Sequence, residues 1–415
     1  MTFALALFSV TGMAQMNFVV GDPLPDAPQL APRGAYHVGV QTLNLVKPNA
    51  IDFVHITRDN PEPRYDRPLT VEVWYPAMIP PGKTEQVLYE DHLGRSDQPE
   101  PLVPFTFEGR ALRDAPPDPA GGPYPLVIVS HGFLGSRFMM TYLTENLASK
   151  GYVVVAIDHT DSTYTDAGPF ASTLLNRATD QLFVLDALAK ASAESGFLGG
   201  LVDAEHTALI GYSMGGYGAL NVIGAGYNER LGKFVGPAVQ PRLASNPEYL
   251  ASLDKRVKAA VLFAPWGSDL RVFGSPGVGF WDDSVMENIT VPTLWIAGSA
   301  DDVAGYAGIV RIFDHALNSE RYLLTYDEAG HNVAPNPPPA EAVRQADYDH
   351  YADPVWDERR INNVNQHMIT AFLGVYLRGD NDLRAYLTPP AENADLLGFP
   401  PGATQGIELR AVAAR

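Results

Sequence analysis

The segment Gly211-Tyr212-Ser213-Met214-Gly215 seats a serine between two glycines, where the apolar run "HTALIGY" gives way to the helix-compatible "YGALNVI". A G-x-S-x-G pattern carries chemical meaning in that setting. A strand that turns abruptly into a helix holds the serine in a strained backbone conformation, and side chains at the flanking glycines would collide with neighbouring backbone. The turn lifts the Ser213 hydroxyl above the sheet edge, near the positive end of the following helix, where it can meet a carbonyl and a base. Gly216 permits a further close approach of helix and strand.

A serine hydroxyl is a weak nucleophile at neutral pH, so it needs a histidine base, and the histidine needs an acid to fix its tautomer. In a strand–turn–helix architecture these partners follow the serine in the order acid, then histidine. The ten histidines therefore reduce to His315, His331, His350 and His367. His331 follows Gly330 in the loop after "RYLLTY", where a loop can carry an imidazole over the sheet edge. His315 and His367 fall in helix-like runs, and His350 falls in the polar segment "QADYDHYAD", read as solvated. The acid should close the preceding strand, and "LWIAGSADDVAG" offers Asp301, three residues after Gly298, with Asp302 as the alternative and Asp327 as a third choice. The residues between Asp301 and His331 leave room for one crossover helix, "AGIVRIFDHAL", and one strand.

Acyl transfer also needs oxyanion donors, each worth about 3 kcal/mol of barrier. One is the N–H of Met214. The other should come from "HGFLGS", as the N–H of Phe133. His131 lies upstream of the serine and reads as a structural loop histidine. Trp266, Phe280 and Trp281, with Phe133, are aromatic residues near the expected strand ends and are candidates to line a substrate pocket. Together these residues predict a serine carboxylic ester hydrolase working through an acyl-enzyme, with no cofactor and no metal, on a small-molecule or polymeric ester. An amidase or peptidase of the same fold is a rival. So is a binding protein that keeps the fold without the chemistry.

The elements that must hold these groups are legible as short continuous apolar runs: "LTVEVWYP" (69–76), "YPLVIVSHG" (124–132), "YVVVAIDH" (152–159), "HTALIGYS" (206–213), "KAAVLFAPW" (258–266), "PTLWIAGSADD" (292–302) and "RYLLTYDEAGH" (321–331). Apart from the first, which alternates, they suit strands buried on both faces of a parallel sheet. Helix-like stretches lie between them, among them residues 138–151, with Gly151 as a stop, and 178–193. This alternation predicts an α/β fold: a doubly wound, mostly parallel sheet with helices on both faces. Residues 1–34 read as a lead-in, 35–380 as one catalytic domain with insertions at about 76–124, 223–256 and 266–288, and 381–415 as a tail.

Composition narrows the partners. Asp and Glu outnumber Lys and Arg by 48 to 29, a formal charge of −19, which disfavours nucleic acid and anionic membranes. The chain has no cysteine, which rules out disulfides, thiolate metal sites and a cysteine nucleophile. No G-x-x-x-x-G-K-[ST], strand-linked G-x-G-x-x-G or H-E-x-x-H motif occurs, so nucleotide and zinc chemistry lack support. "MTFALALFSVTGMAQ" is apolar and of signal-peptide length, without a preceding Lys or Arg, which favours export slightly. No later segment has the unbroken apolar length of a membrane span.

With these residues in place, the chain resembles the α/β-hydrolase superfamily, and within it the platelet-activating-factor acetylhydrolase and dienelactone-hydrolase-like esterases. The likeness rests on "PLVIVSHGFLGSRFMMTYLTENLASKGYVVVAIDHTDS" (125–162) and on "GYSMGG", which is also similar to the nucleophile motif of polyester hydrolases. It implies Ser213, Asp301 and His331 as the triad and Phe133 and Met214 as oxyanion donors. The regions 76–124 and 223–256 match nothing in that pattern.

Overall fold

A computed structural model of the chain describes residues 18–271, 274, 275, 277–392 and 394–415. The signal-peptide-like stretch 1–14 lies outside the described residues. The strands are β1 (His37–Ile51), β2 (Arg64–Ala77), β3 (Val87–Leu93), β4 (Val103–Gly109), β5 (Leu112–Arg113), β6 (Tyr124–Ser130), β7 (Val153–Asp158), β8 (Val202–Tyr212), β9 (Val257–Phe263), β10 (Thr293–Gly298), β11 (Arg321–Tyr326) and β12 (Ile407–Val412). The helices are α1 (Thr141–Ser149), α2 (Phe170–Ala193), α3 (Met214–Ile223), α4 (Glu229–Val235), α5 (Pro247–Ala251), α6 (Tyr306–His315), α7 (Gln345–Asp349) and α8 (Glu358–Arg378).

Ten strands form one sheet in the order β12-β11-β10-β9-β8-β6-β7-β2-β1-β5. The run from β7 through β6, β8, β9 and β10 to β11 is parallel. β2 joins β7 antiparallel, and β12 closes the other side antiparallel to β11. The continuous apolar runs have the expected cause. Val153, Val155 and Ile157 of β7 pack with α2, α3 and α6 on one face, and Val154 and Ala156 pack with α1 and α8 on the other. Each fully buried Val, Leu or Ile contributes roughly 1.5–3 kcal/mol, so the sheet interior is the main source of stability.

The elements that sequence reasoning left out are those without a continuous apolar run. β1 is half-exposed along most of its length and shows no clean alternation. The proline-rich stretch after β2, read as an insertion, contains β3 and β4, which pair antiparallel as a separate two-stranded sheet. That hairpin is tied to the core through Tyr89, whose hydroxyl accepts from Trp74 Nε1 at 2.7 Å and donates to Glu145 Oε1 at 2.7 Å. α8 begins nine residues before His367, because Asp357 caps it by accepting from Arg360 N–H at 3.0 Å.

Asp91 of β3 is buried and accepts the Ser136 hydroxyl at 2.5 Å. Burial pushes its carboxyl up to about 7 from 3.8, against the pull of Ser136 and the His92 N–H. A raised folded-state value favours the protonated form, so this contribution is complete below about pH 4 and disappears as pH climbs through about 7. Three units correspond to on the order of 4 kcal/mol. The melting temperature of Asp91→Asn relative to wild type should therefore rise between pH 5 and pH 8. An equal difference at both pH values would show that Asp91 does not titrate in this window.

Candidate active site

Ser213 stands between β8 and α3 with φ +51° and ψ −111°, a left-handed conformation for a residue with a Cβ. Its N–H donates to Phe263 C=O at 2.9 Å, and its own carbonyl accepts from Trp266 and Tyr217, so β9, the loop after it and α3 fix the turn. The glycines are required by contact. A Cβ on Gly211 would lie 2.3 Å from Gly215 backbone, and one on Gly215 would lie 1.9 Å from Ser130 C=O.

His331 Nε2 is 3.0 Å from Ser213 Oγ, and His331 Nδ1 is 2.9 Å from Asp301 Oδ2. Serine, acid and histidine follow β8, β10 and β11, at the carboxyl ends of parallel strands, where such sheets hold their ligands. The second Asp301 oxygen accepts the N–H groups of Val303 and Ala304, both at 2.9 Å. Burial would push this carboxyl up, but the His331 imidazole and those two N–H groups hold it below the usual carboxylate range. Asp301 therefore stays charged, accepts a hydrogen bond from Nδ1–H and leaves Nε2 to accept from the serine hydroxyl. Tyr212 lies against the imidazole, ring centroids 5.2 Å apart, and donates to Asn332 at 2.9 Å.

The other candidates are elsewhere. Asp302 is exposed and lines the cleft without touching His331, and Asp327 accepts Ser299 Oγ at 3.1 Å. His315 lies on α6 against Arg311 C=O, and His367 is fully buried, accepting from Leu30 N–H. His131 is buried, with its ring 2.6 Å from Gly132 C=O, a loop role.

Gly132 packs on the nucleophile: a Cβ there would lie 3.4 Å from Ser213 Cβ. This places the peptides of the loop that begins at His131 beside Ser213. Met214 is the first residue of α3, where an N–H has no acceptor within its own helix.

A cleft of about 620 Å³ opens over Ser213, lined by Phe133, Leu134, Tyr212, His331 and residues 348–350 and 352–354 among others. A second cavity of about 370 Å³ shares Phe133, Leu134 and His350 with it. Two readings are corrected here. Trp266, Phe280 and Trp281 are not among the lining residues; each is at most 5% exposed, and they pack beneath the turn. Trp281 sits against Tyr217 at 5.7 Å and Trp266 against Phe280 at 6.0 Å, because α3 needs a large apolar floor. The segment containing His350, read as solvated, is instead a wall of the cleft. Its Nε2 bonds Leu134 C=O at 2.8 Å, and Asn332 Nδ2 holds the carbonyls of Asp349 and Ala352. The many carboxylates there masked this role, although Asp353 spends its charge on the N–H groups of Gly330, Val355 and Trp356.

Comparison with known proteins agrees with this fold. A solved structure described as a ferulic acid esterase from Streptomyces cinnamoneus superposes with a TM-score of 0.56 over 94% of this chain and 98% of that one, at 21% identity. This chain has the α/β-hydrolase fold. A family model described as PET hydrolase-like matches residues 115–236 of the α/β-hydrolase, a range that contains Phe133, Ser213 and Met214 but neither Asp301 nor His331. Cutinase est2 of Thermobifida alba is 28% identical over 51% of this chain and 54% of its own length. Cutinase 1 of Thermobifida cellulosilytica is 27% identical over 52% of this chain and 63% of its own. The match spans about half the length of these curated relatives. They support the superfamily expected from the motifs, and they are named as cutinases.

Proposed function

We propose that this α/β-hydrolase is a serine carboxylic ester hydrolase. The observation that carries the reading is the unbroken Ser213–His331–Asp301 hydrogen-bonded chain at the floor of an open cleft. Ser213 Oγ attacks the ester carbonyl while His331 Nε2 takes its proton, and Asp301 steadies the imidazolium. The N–H groups of Met214 and Phe133 receive the oxyanion. Collapse expels the alcohol, protonated by His331, and water then releases the acid from the acyl-enzyme. The chemistry needs no cofactor. Relatives named as cutinases and the PET hydrolase-like match support ester over amide substrates and make a polyester a compatible one.

The cleft also carries Asp302, Glu328, Asp349 and Asp353, with no Lys or Arg among its described lining residues. Neutral esters therefore fit it better than acyl groups ending in a carboxylate. No helix among the described residues is long and apolar enough to cross a membrane. The catalytic unit in this reading is residues 35–380, to which the tail adds β12.

The test is hydrolysis of p-nitrophenyl esters from acetate to decanoate, together with a succinate half-ester. Turnover of the neutral series, and about tenfold weaker kcat/KM for the anionic member, is the expected result; an inert wild-type protein rejects the reading. Asp301→Asn should lower kcat by 10²–10⁴-fold, on the order of the loss seen when a triad histidine is held in the wrong tautomer. Asp302→Asn should stay within about threefold, as befits an exposed surface change. Equal losses in the two variants would reopen the choice of acid.

A further inference from the structure

Directly behind the loop that begins at His131 lies a buried polar array that the triad chemistry does not use. Arg177 of α2 is 1% exposed, and among the described residues no carboxylate lies within ion-pair distance of it. Its Nη1 donates to His131 C=O at 2.6 Å, and its Nη2 donates to Gly132 C=O at 3.0 Å and to Ser162 Oγ at 2.6 Å. A guanidinium buried without a carboxylate is expensive, and here its partners are mainly the backbone carbonyls of one short loop. Desolvation lowers its pKa to about 9, which still leaves it charged at neutral pH.

The surrounding groups fix the direction of every hydrogen bond. Asp180 accepts from Arg67 Nη2 and Lys47 Nζ, both at 3.1 Å, and from His159 Nδ1, also at 3.1 Å. Burial, with Arg177 adding to it, lowers the His159 pKa to about 3, so its ring is neutral and its Nε2 is an acceptor. Ser130 Oγ, 2.8 Å away, must therefore donate to it, leaving its lone pair toward Arg177 Nη1 at 3.4 Å. Ser130, His159 and Asp180 repeat the residue types of a triad but are at most 1% exposed, so no substrate reaches them. Of the three, Ser130 touches the guanidinium, and His159 and Asp180 set which way its hydroxyl points.

We propose that Arg177 is a positioning residue for the oxyanion site: it orients and polarises the peptide between Gly132 and Phe133. The inference rests on the esterase reading above. The carbonyl of Gly132 and the N–H of Phe133 belong to the same planar peptide unit, so fixing the oxygen fixes the direction of the N–H. The His131 ring binds the same oxygen at 2.6 Å. A cation on the oxygen side also draws electron density through the peptide and makes the N–H a stronger donor to a developing oxyanion. Such an effect grows from the ester ground state to the tetrahedral transition state, so it belongs in kcat.

The experiment compares wild type, Arg177→Gln, Arg177→Lys and Ser162→Ala. For each, kcat and KM are measured on a p-nitrophenyl ester, along with the inhibition constant of an alkyl trifluoromethyl ketone, which forms a tetrahedral oxyanion on the serine. Arg177→Gln should lower kcat by about 30–300-fold, on the scale of one lost oxyanion donor. KM should stay within about threefold, and ketone affinity should fall in proportion to kcat. Arg177→Lys keeps the charge but cannot bridge both carbonyls, and should fall between it and wild type. Ser162→Ala leaves the guanidinium but loosens it, with an expected kcat loss of about threefold to tenfold, so the inference stays testable if Arg177→Gln fails to fold. A folded Arg177→Gln with wild-type kcat, or losses confined to KM with unchanged ketone affinity, overturns it. Wild-type turnover with no effect of Arg177 sinks this inference alone, whereas an inert wild type sinks the esterase reading and this inference with it.

Discussion

Ser213→Ala is expected to lower ester turnover by three or more orders of magnitude with no loss of fold. Removing the nucleophile of such a triad typically costs about 10⁶ in kcat, and the measured ratio is capped by residual catalysis from the remaining binding and oxyanion groups. Alanine at φ +51° carries the same backbone strain as serine, so the melting temperature should be unchanged within a degree or two. The cleanest check combines steady-state kinetics with mass spectrometry after treatment with a phosphonylating reagent. Wild type should gain one covalent adduct and the variant none. A variant that keeps its rate, or that still takes up the label, would remove Ser213 from the mechanism.

The second large effect is on stability. Gly215→Ala places a methyl 1.9 Å from Ser130 O and 2.6 Å from Ser130 C, both backbone atoms at the end of β6. Neither side can yield as a flexible side chain would, because β6 is a central strand and α3 is anchored beneath by Tyr217 and Trp281. The loss should exceed the usual 1–3 kcal/mol of overpacking, about 4 kcal/mol or more. Scanning calorimetry should show a melting temperature lower by several degrees, and the folded fraction should lose activity because α3 carries the serine with it. Gly232→Ala on α4 is the control: its Cβ would meet nothing closer than 3.8 Å, and its effect should be near zero or stabilising. A Gly215→Ala protein with wild-type melting and rate would show that β6 and α3 can separate freely.

What could be read from residues alone follows one physical division. Strands buried on both faces must be continuous apolar runs, so β6 to β11 were legible, and the carboxyl ends of those strands led directly to Ser213, Asp301 and His331. Between Asp301, the first choice in sequence, and its alternative Asp302, it is Asp301 whose Oδ2 lies 2.9 Å from His331 Nδ1. The cleft walls were not legible. Trp266, Phe280 and Trp281 have the composition of a pocket and the position of a floor, because aromatic residues serve both ends equally. The segment around His350 has the composition of a solvated loop, yet Asn332 and Asp353 tie its backbone down by contacts that cross the fold. Arg177 lies in the middle of a helix and carries no local signal of its target, which comes from a loop more than forty residues away.

The last strand has a further consequence, for solubility. β11, with the sequence RYLLTY, is buried along its whole length and would offer a flat, apolar template to any extended chain. β12 occupies all six of its positions in register, Arg321 opposite Val412 through to Tyr326 opposite Ile407. The edge that meets solvent is then β12, on which Glu408 and Arg410 project as alternating opposite charges. A second molecule seeking to extend the sheet would have to strip water from both, so the rim resists intermolecular stacking where the interior strand would have invited it.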